Sequence, residues 1–403
     1  MLKCCIIGTF AVLLASTLAF AQVRPLDKSL VISLTGQAMI RSDTRVTSPT
    51  AVPAIRSLLT GDVKFTNFEI VVDEKPAQPG TKFIAVPPDV LDSLTTFGFN
   101  LLSFSNNHAF DRGVAGIATT IREADKRAIV HAGTGTTLAE AAAPAYLHTP
   151  NGTVALVAHA SGRIDRGGGA TATTPGVNEL RVWAGDKLNE STDELPPKPE
   201  NTPDKDDAAR ILQSIREAKK HADIVISYQH NHTFNNHPFR QVMGEGLPER
   251  LEPPGWVRKW AHQQVDAGAD IVVSHGAPLL HGVEIYRGKP IFYDLGNFIF
   301  NVSPLSLDIQ EAMCWESVVV DLKYLGNKLE GITLNPIKMN PIGQGVPDVR
   351  DPYASNQFLV TRGLPSAATG GQATYILQRI ADSSKPFGTT LQLKGDKGEI
   401  LLN

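Results

Sequence analysis

Short apolar runs of strand length recur along the chain: Leu30–Leu34, Lys64–Val72, Phe99–Ser105, Ala128–Ala132, Thr153–Ala158, Asp223–Tyr228, Asp270–Ser274 and Pro290–Tyr293. Segments of helical period lie between several of them. Ile117, Ile121 and Ala124 mark one such face, and Ala208, Ile211, Leu212, Ile215 and Ala218 a second. Val257, Trp260, Ala261 and Val265 mark a third, closed by Gly268. Strand–helix alternation with short connections predicts an α/β domain whose sites collect at strand C-terminal ends. Two segments break the pattern. Residues 161–176 carry Arg163, Arg166 and a triple glycine, as a flexible loop over a site would, and 186–207 is acidic and Pro-rich, as an exposed insertion would be. From Trp315 the pattern changes to alternation: Glu316–Leu322 and Lys328–Leu334 flank Gly326-Asn327, which predicts a hairpin. The reading is one domain over 22–403, with the insertion at 186–207 and a C-terminal β or flap region at 315–403.

Composition narrows the class. The chain has 403 residues, 42% apolar and 20% charged, enough for a large core. Residues 1–21 read as a secretory signal peptide: Lys3, an apolar stretch from Ile6 to Phe20, and a small-residue cleavage site before Gln22. The expectation is an exported protein, periplasmic or extracellular, with no transmembrane helix after cleavage. Without Lys3 the basic count falls from 38 to 37, against 41 acidic residues, so there is no basic footprint for nucleic acid. Cys4 and Cys5 lie inside the signal, which leaves Cys314 and neither an intrachain disulfide nor a cysteine-based metal cluster.

The chemistry concentrates where apolar runs stop. Leu101-Leu102-Ser103-Phe104-Ser105 ends in Asn106-Asn107-His108, with Asp111 three residues on. An amide, an imidazole and a carboxylate at a strand end suit metal ligation and proton transfer. Four other ends are similar: Thr35-Gly36-Gln37, Thr66-Asn67-Phe68-Glu69, Tyr228-Gln229-His230-Asn231-His232 and Ser274-His275-Gly276 through His281 to Glu284. Mixed carboxylate, amide and imidazole donors favour Zn, Mn or Fe over Ca or Mg. His230-Asn231-His232 and the separate His237 suggest a different zinc cluster, but His residues two apart in an extended segment are read as facing opposite ways, which disfavours their sharing one metal. No Gly-x-x-x-x-Gly-Lys-Ser loop and no Gly-x-Ser-x-Gly elbow is present, which removes two common hydrolase designs.

The order of these motifs, closed by Tyr293-Asp294-Leu295-Gly296-Asn297-Phe298, resembles the CapA family, from about Leu30 to Asn340 with a weaker tail near Phe387-Gly388-Thr389. That family is associated with poly-γ-glutamate capsule and belongs to the calcineurin-like metallophosphoesterases. The resemblance implies a four-layer αββα sandwich, two mixed sheets between helices, with a metal site at the strand ends. It makes Glu69 the bridging carboxylate and Asn107, His230 and His275 ligands of one metal. His108 becomes the group that protonates or stabilises the leaving group, with Asp111 behind it and Asn67 beside the site.

Two departures fall on the other metal position. Gln37 stands where the family has Asp, and Pro278 where it often has His, with His281 as a nearby substitute. One divalent metal (Mn, Fe or Zn) is therefore expected, with Gln37 and His281 as weak candidates for a second. The leading expectation is a metal-dependent hydrolase of a phosphoester, γ-glutamyl or peptide bond, with His108 as acid. Its partners are expected to be an anionic polymer or small-molecule substrate and capsule biosynthesis proteins. Arg41, Arg163, Arg166, Asn67 and Tyr228 are the candidate substrate contacts. The alternatives are a non-catalytic scaffold in a capsule complex, or metal-free acid–base chemistry through His108, His275 and His281 with Tyr228 and His232 lining the pocket.

Overall fold

Leu30, Ile32 and Leu34 alternate with Ser29, Val31 and Ser33 in strand Ser29–Leu34, and that period of two gives the strand one face for the core. A computed structural model of the chain describes residues 28–75, 85–184, 187–189, 201–302, 311–345 and 357–402. The expected signal peptide and most of the 186–207 insertion lie outside the described residues. Ser29–Leu34 sits inside a nine-stranded mixed sheet. On one side it runs parallel to Val63–Asn67, which is followed by Leu101–Ser103 and Val130–Ala132, also parallel. On the other side it is antiparallel to Glu316–Leu325.

The second sheet has six strands, with Gly152–Ser161, Ile224–Asn231, Ile271–His275 and Lys289–Phe292 parallel at its centre and an antiparallel strand at each edge. The sheets pack face to face. Leu30, Ile32, Leu34 and Phe65 of the first meet Leu156, Ala158, Ile226, Tyr228 and Val273 of the second in one apolar layer. On the outer face of the second sheet, Ala155, Val157, Val225 and Val272 receive Ile211, Ile215, Trp260 and Val265 from helices Lys205–His221 and Gly255–Ala267. Helix Val90–Phe97 covers the first sheet with Leu91, Leu94 and Phe97. This is the expected four-layer αββα sandwich.

Three boundaries differ from the sequence reading. The run expected over Lys64–Val72 ends as a strand at Asn67, because Asn67-Phe68-Glu69 turns out of the sheet toward the site, and a two-residue strand follows at Val71–Val72. The exposed insertion is shorter than 186–207. Asp204 caps helix Lys205–His221 by accepting from the Asp206 and Asp207 amides, and buried Asp207 pairs with Arg181 and Arg210. The C-terminal region is no separate flap. Glu316–Leu325 and Lys328–Met339 form the expected hairpin, with Gly326 in the left-handed region at its turn, and Lys397–Ile400 and Leu391–Lys394 extend the same sheet. No helix among the described residues is long and apolar enough to cross a membrane.

Candidate metal centre

Parallel strands end at the same level, so their C-terminal residues converge. In the second sheet Ala160 pairs with His230 and His230 with His275, and in the first Asn67 pairs with Ser103. The Asn106-Asn107-His108 turn follows Leu101–Ser103 and closes the gap between the two sheets. Asn106, wholly buried, fastens it. Its side-chain amide donates to the Asn67 side chain at 3.3 Å and to the Phe68 carbonyl at 2.8 Å, and its oxygen accepts the His108 N–H at 3.0 Å. That role was missed in the sequence, because nothing local distinguishes Asn106 from Asn107.

His230 Nε2 donates to Asn107 Oδ1 at 2.8 Å and lies 3.7 Å from Glu69 Oε1. Glu69 is buried, and its second oxygen has no hydrogen-bond partner. Burial raises its pKa to about 7, against the opposing fields of His108 and Arg163. Glu69, His230 and His232 each offer a ligand atom within 4.8 Å of the others'. The expectation that His230 and His232 face apart is wrong: residues two apart in a strand share a face, and the His232 N–H carries the pairing one step further, to the Ser161 carbonyl at 2.8 Å. Their rings stand 4.6 Å apart, and His232 leans on Phe239 at 4.0 Å.

Burial holds both rings far below the usual histidine range, reinforced at His230 by the charges of His275, His108 and Arg163 and at His232 by those of His230, Arg163 and His108. Both rings are neutral near pH 7, the form a metal ligand requires, and His230 Nε2 offers its lone pair once the ring proton moves to Nδ1, which faces the Tyr228 hydroxyl. An unsatisfied buried carboxylate oxygen among neutral imidazoles fits a divalent transition metal.

The remaining expected residues divide clearly. His108 Nδ1 donates to Asp111 Oδ2 at 2.9 Å, as expected of an oriented acid. Burial is the largest influence on His108 and opposes its charge, yet Asp111 and Glu69 together outweigh it and raise its pKa. His275 Nδ1 meets the Tyr228 hydroxyl at 3.3 Å and its Nε2 is buried without a partner, but it lies outside the three-residue group. Burial takes His275 to about 3 and His281 to about 4.

Tyr228 is not placed as a substrate contact. It is wholly buried behind the imidazoles, with its hydroxyl also 3.5 Å from His230 Nδ1. Arg41 is buried as well, because its Nε donates to the Asn301 carbonyl at 2.5 Å. Gln37 Nε2 donates to Asn297 Oδ1 at 3.1 Å while its Oε1 is buried without a partner, and His281 Nε2 donates to the Arg250 carbonyl at 2.7 Å, so His281 lies outside the three-residue group. Arg163 lies over the Phe239 ring at 4.6 Å, and its charge reaches Glu69, His108, His230 and His232. Arg166 is exposed on the same loop.

Comparison with known proteins identifies relatives. A family model described as bacterial capsule synthesis protein PGA_cap matches residues 31–302. Uncharacterized protein y4sH of Sinorhizobium fredii is 28% identical over 430 residues, covering 86% of this chain and 87% of its own length. PGA biosynthesis protein CapA of Bacillus subtilis is 31% identical over 209 residues, covering 52% of this chain and 44% of its own length. A hypothetical protein from Thermus thermophilus is similar in structure with a TM-score of 0.41 and 13% identity, over 76% of this chain and 98% of that one. The family match spans most of the chain and contains Glu69, Asn107, His108, His230 and His275 alike, and on that ground the chain belongs to the bacterial capsule synthesis protein family PGA_cap.

Proposed function

We propose that this chain is an exported metal-dependent hydrolase of capsule or cell-envelope polymer metabolism, cleaving a phosphoester, γ-glutamyl or peptide bond. The observation that carries the reading is the buried Glu69, His230 and His232 group, with Asn107 beside it and the His108–Asp111 pair next to it. Glu69, Asn107 and His230 would hold a divalent Mn, Fe or Zn ion. When bound, such an ion supplies Lewis acidity and a water of lowered pKa.

The chain's own groups do the rest. Asp111 holds the His108 ring by Nδ1, which leaves Nε2 for the reacting bond, and its charge keeps the ring protonated to higher pH. His108 then gives its proton to the leaving atom. Arg163, steadied on Phe239, pairs with an anionic group of the substrate, and Arg166 adds a contact, while Asn67 is as wholly buried as Tyr228. The expected substrate is an anionic polymer, and the expected partners are capsule biosynthesis proteins. The name of the Bacillus subtilis relative supports the capsule setting.

The test is elemental analysis of purified residues 22–403, followed by a screen of phosphomonoesters, phosphodiesters and γ-glutamyl peptides with the metal-loaded protein. Turnover that falls by about 100-fold in His108→Ala, with metal content unchanged, supports the reading. A folded protein that takes up no Mn, Fe or Zn refutes it. A protein that binds metal and capsule polymer without turnover would instead be the scaffold component.

A further inference from the structure

We propose that His232 is itself a metal ligand, completing a single-ion centre with Glu69, His230 and Asn107. This rests on the reading of Glu69 and His230 as ligands, and it adds a residue that the resemblance leaves out.

The position of His232 is built rather than incidental. Strand Ile224–Asn231 ends one residue earlier, yet the His232 N–H still bonds the Ser161 carbonyl at 2.8 Å, so its side chain stays on the face that carries Tyr228 and His230. Asn231 locks the turn. Its oxygen accepts from the Ser161 hydroxyl at 2.8 Å and from the Thr233 N–H at 3.1 Å. Phe239 backs the His232 ring at 4.0 Å and itself packs among Phe234, Val242, Met243 and Ala277. The ring is 7% exposed, and its Nδ1 has no hydrogen-bond partner. His232 Nδ1 and Glu69 Oε2 are both buried without a hydrogen-bond partner, and a ring nitrogen of His232 and a carboxylate oxygen of Glu69 lie within 4.8 Å of each other, so leaving the site without a third group is costly.

The spacing suits one ion. Two ligand atoms at about 2.1 Å from a tetrahedral centre stand roughly 3.4 Å apart. His230 Nε2 and Glu69 Oε1 are 3.7 Å apart, and His232 brings its ligand atom within 4.8 Å of both. Of the residues that would hold a second ion, His281 turns Nε2 to the Arg250 carbonyl, Pro278 has no donor side chain, and Gln37, its Nε2 bonded to Asn297, offers a neutral oxygen in place of a carboxylate.

Co²⁺ is the probe, titrated into metal-free protein of residues 22–403, with stoichiometry read by elemental analysis and geometry by visible d–d absorption. The expected result is about one ion per chain with the intense absorption of a low-coordinate site. His232→Ala should weaken binding by at least about 100-fold, more than the loss of an outer-shell contact. His232→Phe, which keeps the stack on Phe239, should weaken it as much, and its far-ultraviolet circular dichroism reads whether the fold is intact. Gln37→Ala and His281→Ala should still bind one ion. Wild-type affinity in folded His232→Phe, with binding lost in His230→Ala, overturns the role of His232 and leaves the hydrolase reading standing. Two ions per wild-type chain overturn it as well, and no ion in the wild type overturns both readings.

Discussion

The His159–Trp260 pair makes a measurable prediction about pH. His159 is wholly buried in strand Gly152–Ser161, and the Trp260 indole N–H donates to its Nε2 at 2.9 Å. That bond requires the Nδ1–H tautomer. A second proton would have to enter at Nε2, breaking the bond and placing a cation in the layer between sheet and helix. Burial, aided by the charge of Arg210, lowers the His159 pKa to about 3. The unfolded ring titrates near 6.5, so below that pH the unfolded chain takes up a proton that the folded chain refuses, and stability falls. Between about pH 7.5 and pH 5 the loss from this residue is roughly 1.36 kcal/mol for each of about 1.5 pH units, or about 2 kcal/mol. At an unfolding entropy of about 2.1 cal/mol/K per residue, that is roughly 2–3 °C in Tm for a chain of this size.

The perturbation is His159→Gln, whose amide oxygen can accept from Trp260 but does not titrate. Its own packing penalty appears at every pH and cancels when the two pH dependences are compared. Urea unfolding of wild type and variant at both pH values gives the double difference. The variant should lose about 2 kcal/mol less than the wild type over the interval. Parallel pH profiles would refute the assignment of a buried, neutral, hydrogen-bond-accepting His159.

Three further outcomes test the site. Asp111→Asn removes the carboxylate that raises the His108 pKa, so the proton-donating form should be lost at lower pH. The alkaline limb of the pH–rate profile should move down, with turnover reduced by about 100-fold at neutral pH. Tyr228→Phe deletes the hydroxyl that contacts Nδ1 of both His230 and His275, and metal affinity measured by competition with a chelator should drop about 10–100-fold while the fold stays intact. Asn106→Ala leaves the Phe68 carbonyl and the His108 amide without their buried partner, and should lower unfolding free energy by about 3 kcal/mol in urea titration.

Much of this protein is written locally. The alternation Leu30, Ile32, Leu34, the helical faces through Ile211 and Ile215 or Trp260 and Val265, and the Gly326-Asn327 turn each depend on neighbours along the chain, so their periods identify the elements directly. Strand ends rich in Asn, His and Glu likewise pointed to the site, because apolar strands seldom end in such groups without a use for them. His232 was misread as facing away, although a period of two puts it on the face of His230.

Other features depended on partners distant in sequence. Nothing near Tyr228 or Arg41 says that one lies behind imidazoles and the other against Asn301, since burial is decided by what packs from another strand or loop. His281 looks like a ligand until the Arg250 carbonyl claims its Nε2. The C-terminal strands could equally have formed a flap, until antiparallel pairing with Ser29–Leu34 made them part of the first sheet. Periodicity sets which side of an element is apolar, whereas only the packing of the two sheets decides which polar ends meet and which hydrogen bonds they have left to give.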